Sequence, residues 1–413
     1  MKFSELILFL LFLTSIPVQL GKHFWPTLSF VNGIRVDYLS PTLYFSDIVL
    51  LFLFVASFSR LKKTLWSLIK KPLFIYSFTV LLIGCFLSLN PYAAFLKLVK
   101  LLEFLFLGFY TVKTFSFNFK DKYIYILTLG GLTQCIILFL QFFSQHSLDG
   151  VFYYLGERTI GPGSIGAAVF PLNNSLVMRP YGTFPHPNVL AFYLLFPFTY
   201  LLFSNGKNKT IKVIAITLLF FGIIFTFSRI VILLSLLILI LHFYLKVRRV
   251  RKSLLLLCLS FILLFGALLF NRFTASFVSD LTLRNDLLKI GVSEFIKHPF
   301  FGVGLNNFFY HEIFYQKDIM PTLLQPVHNI YVLWLVETGI LGGIVALILL
   351  RKTFKKAIQK IKSKDNFYIS TAILFFSALF IGLFFHYLLT LQQGQLLLTI
   401  SIGLLWTNIR ERA

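Results

Sequence analysis

A chain of 413 residues would ordinarily hold two or three water-soluble domains, but 58% of this one is hydrophobic and only 13% is charged. With a mean hydropathy of +0.84, it carries more apolar side chain than a soluble protein of its size can bury. Its net charge of +23, from 38 basic and 15 acidic residues, would suggest a polyanionic partner in a soluble protein. Here the cations gather in short segments between apolar runs, which argues for membrane topology and against nucleic-acid binding.

The apolar runs reach the roughly eighteen residues that a membrane-crossing helix needs, and they are too long for the roughly ten-residue strands of a porin. Lipid offers no partner to an open sheet edge, so the chain reads as an all-α polytopic membrane protein. We read twelve transmembrane helices in a single integral membrane domain over residues 1–413: 3–20, 42–59, 72–89, 92–112, 123–144, 188–204, 211–227, 230–245, 253–270, 328–350, 367–389 and 392–408. Segments 60–71, 113–122, 205–212, 246–252 and 351–366, with the two tails, hold 26 of the 38 basic residues. That asymmetry puts these segments and both termini in the cytoplasm, and leaves the long connections 21–41, 145–187 and 271–327 on the outer side.

The first apolar segment imitates a signal peptide but lacks a small-x-small cleavage site, so it reads as an uncleaved span. Trp25 and Tyr38 of the first outer connection are interfacial anchors, and Lys22, Arg35 and Asp37 are solvated or headgroup contacts. Cys85, Cys135 and Cys258 fall in separate apolar segments with neither disulfide nor metal spacing. The fourth helix carries Lys97, Lys100 and Glu103 at steps of three, close together on a helix. They either neutralise one another or form a cationic lining near the outer leaflet.

The second outer connection has turn signals at Gly161-Pro162-Gly163 and Asn173-Asn174. It ends in Arg179, a candidate anion contact, and in Pro185-His186-Pro187, where two prolines restrict a polar support residue. Ser228-Arg229 then interrupts an apolar stretch too long for one helix, giving a tight outer hairpin with Arg229 at its tip. In the third outer connection, Asp280 or Thr282 caps an amphipathic helix running to about Lys297. Its apolar face is Leu283, Leu287, Leu288, Val292, Phe295 and Ile296, it lies along the bilayer surface, and Arg284 falls in its first turn. His298-Pro299 stops it, and Phe300-Phe301-Gly302-Val303-Gly304 turns the chain back toward the membrane. Last comes Pro326-Val327-His328-Asn329, at the mouth of the apolar run from Ile330 to Leu350.

No HExxH, Walker A, dinucleotide, kinase or GxSxG pattern is present. The outer acids Asp149, Glu157, Asp280, Asp286, Glu294, Glu312 and Asp318 have no metal-ligand spacing, so no metal and no cofactor are expected. Arginine forks suit a diphosphate, because they bind it bidentately and keep their charge. A histidine among them stays neutral, as a general base must. Sugar transfer from a lipid diphosphate fits this pairing, with His328 taking a hydroxyl proton and Arg229 and Arg284 stabilising the departing diphosphate. Glu337 lies nine positions beyond His328, about 14 Å along a regular helix and on nearly the opposite side, and is a poor partner for it. Gly339 and Gly343 are four apart, which permits close helix packing.

His328-Asn329 followed after nine residues by Gly339 and then by Gly342 resembles a motif of the O-antigen ligase and polymerase superfamily of bacterial membrane proteins. Arg284 with Leu288, Thr226-Phe227-Ser228-Arg229, and His298 to Gly304 are similar to further elements of that family, as are Gly182-Thr183-Phe184 and Pro187-Asn188. The likeness is closest over residues 179–345. It implies a C-type glycosyltransferase-like helical fold, an undecaprenyl-diphosphate-linked glycan as donor, a lipid or glycan acceptor, and His328 as base. It also implies a place in the bacterial cytoplasmic membrane with the active site facing outward, and membrane lipids as neighbours. Arg229, Arg284 and Arg179 are then the diphosphate contacts, and Asn329, Lys97, Lys100, His186 and Asn188 support the substrate or the structure. Ligases, O-antigen or surface-polysaccharide polymerases and teichuronic or capsular-type polymer transferases share this core, so the acceptor stays open. A lipid-linked oligosaccharide transporter is the competing class, but no secure pair of repeats supports it.

Overall fold

The computed structural model describes residues 3–116, 119–172, 175–205, 208–246, 277–315 and 324–407. Helices occupy eleven of the twelve expected segments, and the remaining one, 253–270 with Cys258, lies outside the described residues. In chain order the described helices are α1 (Phe3–Ser15), α2 (Phe45–Ile69), α3 (Pro72–Leu87), α4 (Pro91–Thr114), α5 (Lys120–Ser144), α6 (Pro187–Phe203) and α7 (Lys209–Phe225). They continue with α8 (Arg229–Lys246), α9 (Phe277–Lys297), α10 (Phe308–Glu312), α11 (Ile330–Lys362), α12 (Asn366–Gly382), α13 (Tyr387–Thr390) and α14 (Gln392–Trp406). Proline begins α3, α4 and α6, where its missing N–H removes no helical hydrogen bond. Asn90, Asn208, Asn329 and Asp365 cap α4, α7, α11 and α12 by accepting from first-turn N–H groups.

Among the described residues, α5 and α11 are each long and apolar enough to cross a membrane alone, and α2 and α3 form a pair bent by 79°. Helix α6 is apolar on every side, the mark of an interior helix. Almost all of it is buried, with α5, α7, α8, α12 and α14 packed around it. Lipid tails give apolar helices little reason to associate, so fit and aromatic contact hold such a bundle together. Phe367 of α12 stacks on Tyr200 of α6 at 5.1 Å, Tyr123 of α5 meets Tyr200 edge-on at 5.5 Å, and the Tyr200 and Thr371 hydroxyls are 2.9 Å apart.

The connections carry short antiparallel hairpins. Strands β1 (Gly21–His23) and β4 (Thr42–Tyr44) pair, as do β2 (Phe30–Val31) with β3 (Ile34–Arg35), and β5 (Val169–Leu172) with β6 (Ser175–Met178). The β2–β3 turn is Asn32-Gly33 with both residues at positive φ, the preferred two-residue hairpin turn.

Four local features differ from the sequence reading. First, α9 begins at Phe277, so Asp280 and Thr282 lie inside it rather than capping it, and Arg284 sits about two turns in. Second, its expected apolar face divides: Leu283, Leu287 and Phe295 pack with Val303, Phe308, Val327, Leu333 and Val336, whereas Leu288, Val292 and Ile296 are exposed.

Third, the segment expected as one helix over 367–389 breaks after Gly382. Side chains from elsewhere collect the released carbonyls: Asn329 Nδ2 donates to Leu383 O at 3.3 Å and Arg284 to Phe384 O at 3.4 Å. Fourth, Gly339 does not bring a second helix close. It breaks α11, with φ 62° and ψ −170°, a conformation essentially restricted to glycine. The Pro299–Gly304 segment wedges into the break. Val303 and Gly304 donate to Val336 O and Glu337 O at 2.8 and 3.1 Å, and Ile340 donates to Pro299 O at 2.7 Å. A Cβ on Gly339 would lie 2.2 Å from Phe300 O, and one on Gly302 2.4 Å from Val336 O. Gly343 meets only Leu335 of its own helix.

Candidate active-site cavity

The Arg179–Phe184 segment is tied to α5 by two glutamines seven positions apart. Gln141 Oε1 accepts from Tyr181 and Gly182 N–H at 2.9 and 2.8 Å, and Gln134 Oε1 accepts from Thr183 N–H at 3.0 Å. Gly182 stands where φ is +57° and a Cβ would lie 2.3 Å from Gln134 Oε1, so the turn admits little else. This clamp delivers Arg179, only 4% exposed, to the turn between α7 and α8. Its Nε donates to Thr226 O at 3.0 Å and one Nη to Asn188 Oδ1 at 2.6 Å. The same turn, with Phe227 at φ 52°, starts α8 at Arg229, as the split of the apolar run implied.

His186 caps α6, its Nδ1 accepting from Asn188 N–H at 3.1 Å, while Nε2 lies 3.3 Å from the Tyr387 hydroxyl. Burial foremost, then the Arg179 charge, pushes its pKa well below the ordinary histidine value. His328 precedes α11 and is not part of it, so the expected span 328–350 starts two residues late. Its ring meets that of His386 edge-on at 4.9 Å. Nδ1 is buried without a hydrogen-bond partner. Burial first, and then the charge of Arg284, pulls its pKa down to about 4, against a weaker opposing pull from the Pro326 backbone. The imidazole is therefore neutral at pH 7.

These side chains share one cavity of about 1720 Å³, larger than the roughly 300–1,000 Å³ of a small-molecule cleft. Arg179, Arg229, Arg284, His186, Asn188, His328, Lys97 and Lys100 all line it. Asn329 does not. Its Oδ1 accepts from Tyr331 and Val332 N–H, making it the cap of α11. Lys100 is neutralised by Asp47 and Glu103, which favours the neutralisation reading for that residue. Lys97 donates to Leu389 O at 2.5 Å and is an electrostatic neighbour of Glu337.

Among the lining residues that the sequence reading did not single out are His386, Tyr387 and Arg158. His386 and Tyr387 lay within what read as an uninterrupted span, and only the break after Gly382 turns them into the cavity. Arg158 carried no motif, yet its Nη1 donates to Pro185 O at 3.3 Å beside His186. Outside the cavity, Glu294 converges with His298 and His311, a grouping of an outer acid with two imidazoles that the linear spacing concealed.

The described fold is largely helical with apolar helices of membrane-crossing length, and its cavity is lined by arginines, lysines and imidazoles. Residues 214–347 match the family model described as O-Antigen ligase, so an O-antigen ligase-like segment runs from α7 into α11. That segment carries Arg229, Arg284, the Pro299–Gly304 wedge, His328 and Gly339. The match makes this part of the chain similar to membrane enzymes of the O-antigen ligase type, a family whose members act on a lipid-linked glycan donor and an acceptor. No curated protein matches the chain.

Proposed function

We propose that this protein transfers a glycan from an undecaprenyl-diphosphate carrier to an acceptor hydroxyl at the outer face of the bacterial cytoplasmic membrane. The observation that carries this reading is that His328 lines the same cavity as Arg179, Arg229 and Arg284. The acceptor oxygen attacks the anomeric carbon as His328 takes its proton. The bond from that carbon to the diphosphate oxygen breaks, and undecaprenyl diphosphate leaves with the electron pair. Arg229 and Arg284 meet the growing charge of the leaving group with fixed donors, the contribution that a metal ion makes in other phosphate enzymes. The transfer at this cavity thus proceeds without one. Arg179 completes the anion contact and braces the Thr226 turn that sets Arg229.

The test is a reconstituted assay with labelled undecaprenyl-diphosphate glycan and a panel of acceptors comprising a lipid core, a glycan of the same repeat and a wall polymer. The acceptor that becomes glycosylated distinguishes ligase from polymerase or polymer transferase. His328→Ala is expected to lower turnover at least 100-fold, the order of general-base catalysis, with melting temperature nearly unchanged. Unchanged turnover removes His328 from the mechanism. Donor movement across the bilayer without any glycosidic product replaces the enzyme with a transporter.

A further inference from the structure

We propose that Glu294, His298 and His311 form a binding site for a divalent transition metal of the zinc class, apart from the cavity. Glu294 and His298 are four positions apart at the end of α9, so they project from one face a turn apart. His311 comes from α10. One ligand atom from each lies within 4.8 Å of the others. Glu294 Oε2 is 2.6 Å from His311 Nδ1 and 3.8 Å from His298 Nε2, and the two imidazole rings cross at 74°. Bonds of about 2.0–2.1 Å in a tetrahedron place ligand atoms roughly 3.3 Å apart. The two carboxylate–imidazole separations of 2.6 and 3.8 Å bracket that spacing, and the imidazole–imidazole separation, within 4.8 Å, has to close by at most about 1.5 Å.

The donor set, two imidazoles and a carboxylate, suits zinc better than the all-oxygen cations. The other carboxylate oxygen, Oε1, is held by the Tyr315 hydroxyl and by Lys297 Nζ at 2.9 Å, leaving Oε2 turned to the imidazoles, an outer support of the kind metal ligands have. Lys297 opposes the cation by charge, but its side chain is 56% exposed and free to swing outward. His298 is 45% exposed and supplies a path for the ion. A bound metal would close the chain from 298 to 311 into a loop and pin the Pro299–Gly304 wedge in the break of α11. None of the three ligands lines the cavity, so the ion's role is to hold structure.

The experiment uses the full chain in detergent micelles with any affinity tag removed, stripped by a chelator and titrated with Zn²⁺ alone. One equivalent is expected to bind and raise the melting temperature, and Co²⁺ in its place is expected to give visible absorption of four-coordinate nitrogen and oxygen ligation. His298→Ala, on the surface, is expected to fold normally and to bind Zn²⁺ at least tenfold more weakly. Lys297→Met is expected to bind it more tightly. If the stripped protein takes up no stoichiometric zinc, or if His298→Ala binds as tightly as the parent, the three side chains are a proton-held network and the proposal fails. Metal content and melting temperature are read without any transferase assay, so this outcome is independent of the proposed reaction.

Discussion

His328 illustrates how much a single side chain's surroundings determine. With a folded-state pKa near 4 against an ordinary value near 6.5, the unfolded chain binds more protons between those two values. The stabilisation from keeping the imidazole neutral is therefore complete above about pH 6.5 and is lost as pH falls toward 4. For the reaction, the acid limb of kcat/KM, which reports the free enzyme, is expected near pH 4 instead of pH 6–7. A limb at pH 6–7 would mean that the imidazole is not enclosed as described. Arg179 makes a different prediction. Replacing it with Ala strips the buried Thr226 carbonyl and Asn188 amide of their donor, at about 1–3 kcal/mol for each unsatisfied group, so Arg179→Ala is expected to lower the melting temperature as well as activity. Arg284→Ala, on a more exposed side chain, is expected to affect activity with little change in melting temperature.

At this scale the sequence was most legible where a polar residue interrupted or bordered an apolar pattern. Arg229 interrupted an apolar run, Arg284 stood on an amphipathic helix and His328 at the mouth of an apolar run, and all three line one cavity. His386 and Tyr387 gave no such signal, because an aromatic and a histidine inside an apolar stretch look like helix interior until the backbone unwinds. The metal-ligand trio was hidden for another reason: one member lies thirteen residues beyond His298, across a glycine-rich turn whose course no local pattern sets.

Among the elements, the break in α11 is the feature that sequence periodicity could not supply. A glycine inside an apolar run of helical length signals at most a weak spot. What makes it a break is a distant segment whose own glycines allow backbone to meet backbone. Gly339→Ala is therefore expected to destabilise far beyond the roughly 1 kcal/mol scale of helix propensity, and with the opposite sign from an ordinary glycine-to-alanine change in a helix. Strain of about 1–3 kcal/mol adds to the displacement of Phe300, and differential scanning measurements on the purified variant would register it. An equal or higher melting temperature would show α11 to be continuous. Gly343→Ala, whose added Cβ would meet only the movable end of the Leu335 side chain in the same helix, is the matched control and is expected to be nearly neutral.

The whole molecule follows the apolar rhythm of its sequence, in which eleven segments read as helices are helices among the described residues. That rhythm says little of how helices bend, because chain length and composition are the same for a straight span and a 79° pair. The sidedness it implies is testable by cysteine labelling in intact cells. Ile165→Cys, at a position 91% exposed in the 145–187 connection, is expected to react with an impermeant maleimide, and Lys355→Cys, near the basic end of α11, only after the membrane is opened. The reverse pattern would invert the topology and move the cavity to the cytoplasm.

The interruption of α11 also divides its electrostatics. A helix accumulates partial negative charge at its carbonyl end and partial positive charge at its amide end, and one that stops and restarts has two of each. The first half of α11 ends at Val336–Thr338, inside the molecule, and there the wedge supplies amides to its carbonyls while Lys97 sits as the electrostatic neighbour of Glu337. The second half restarts at Ile340 with its amide end facing the Pro299 and Phe300 carbonyls. The break therefore sets two helix ends of opposite partial charge side by side, each satisfied by backbone groups of the wedge, and any substitution that straightens the helix would remove both ends along with the bend.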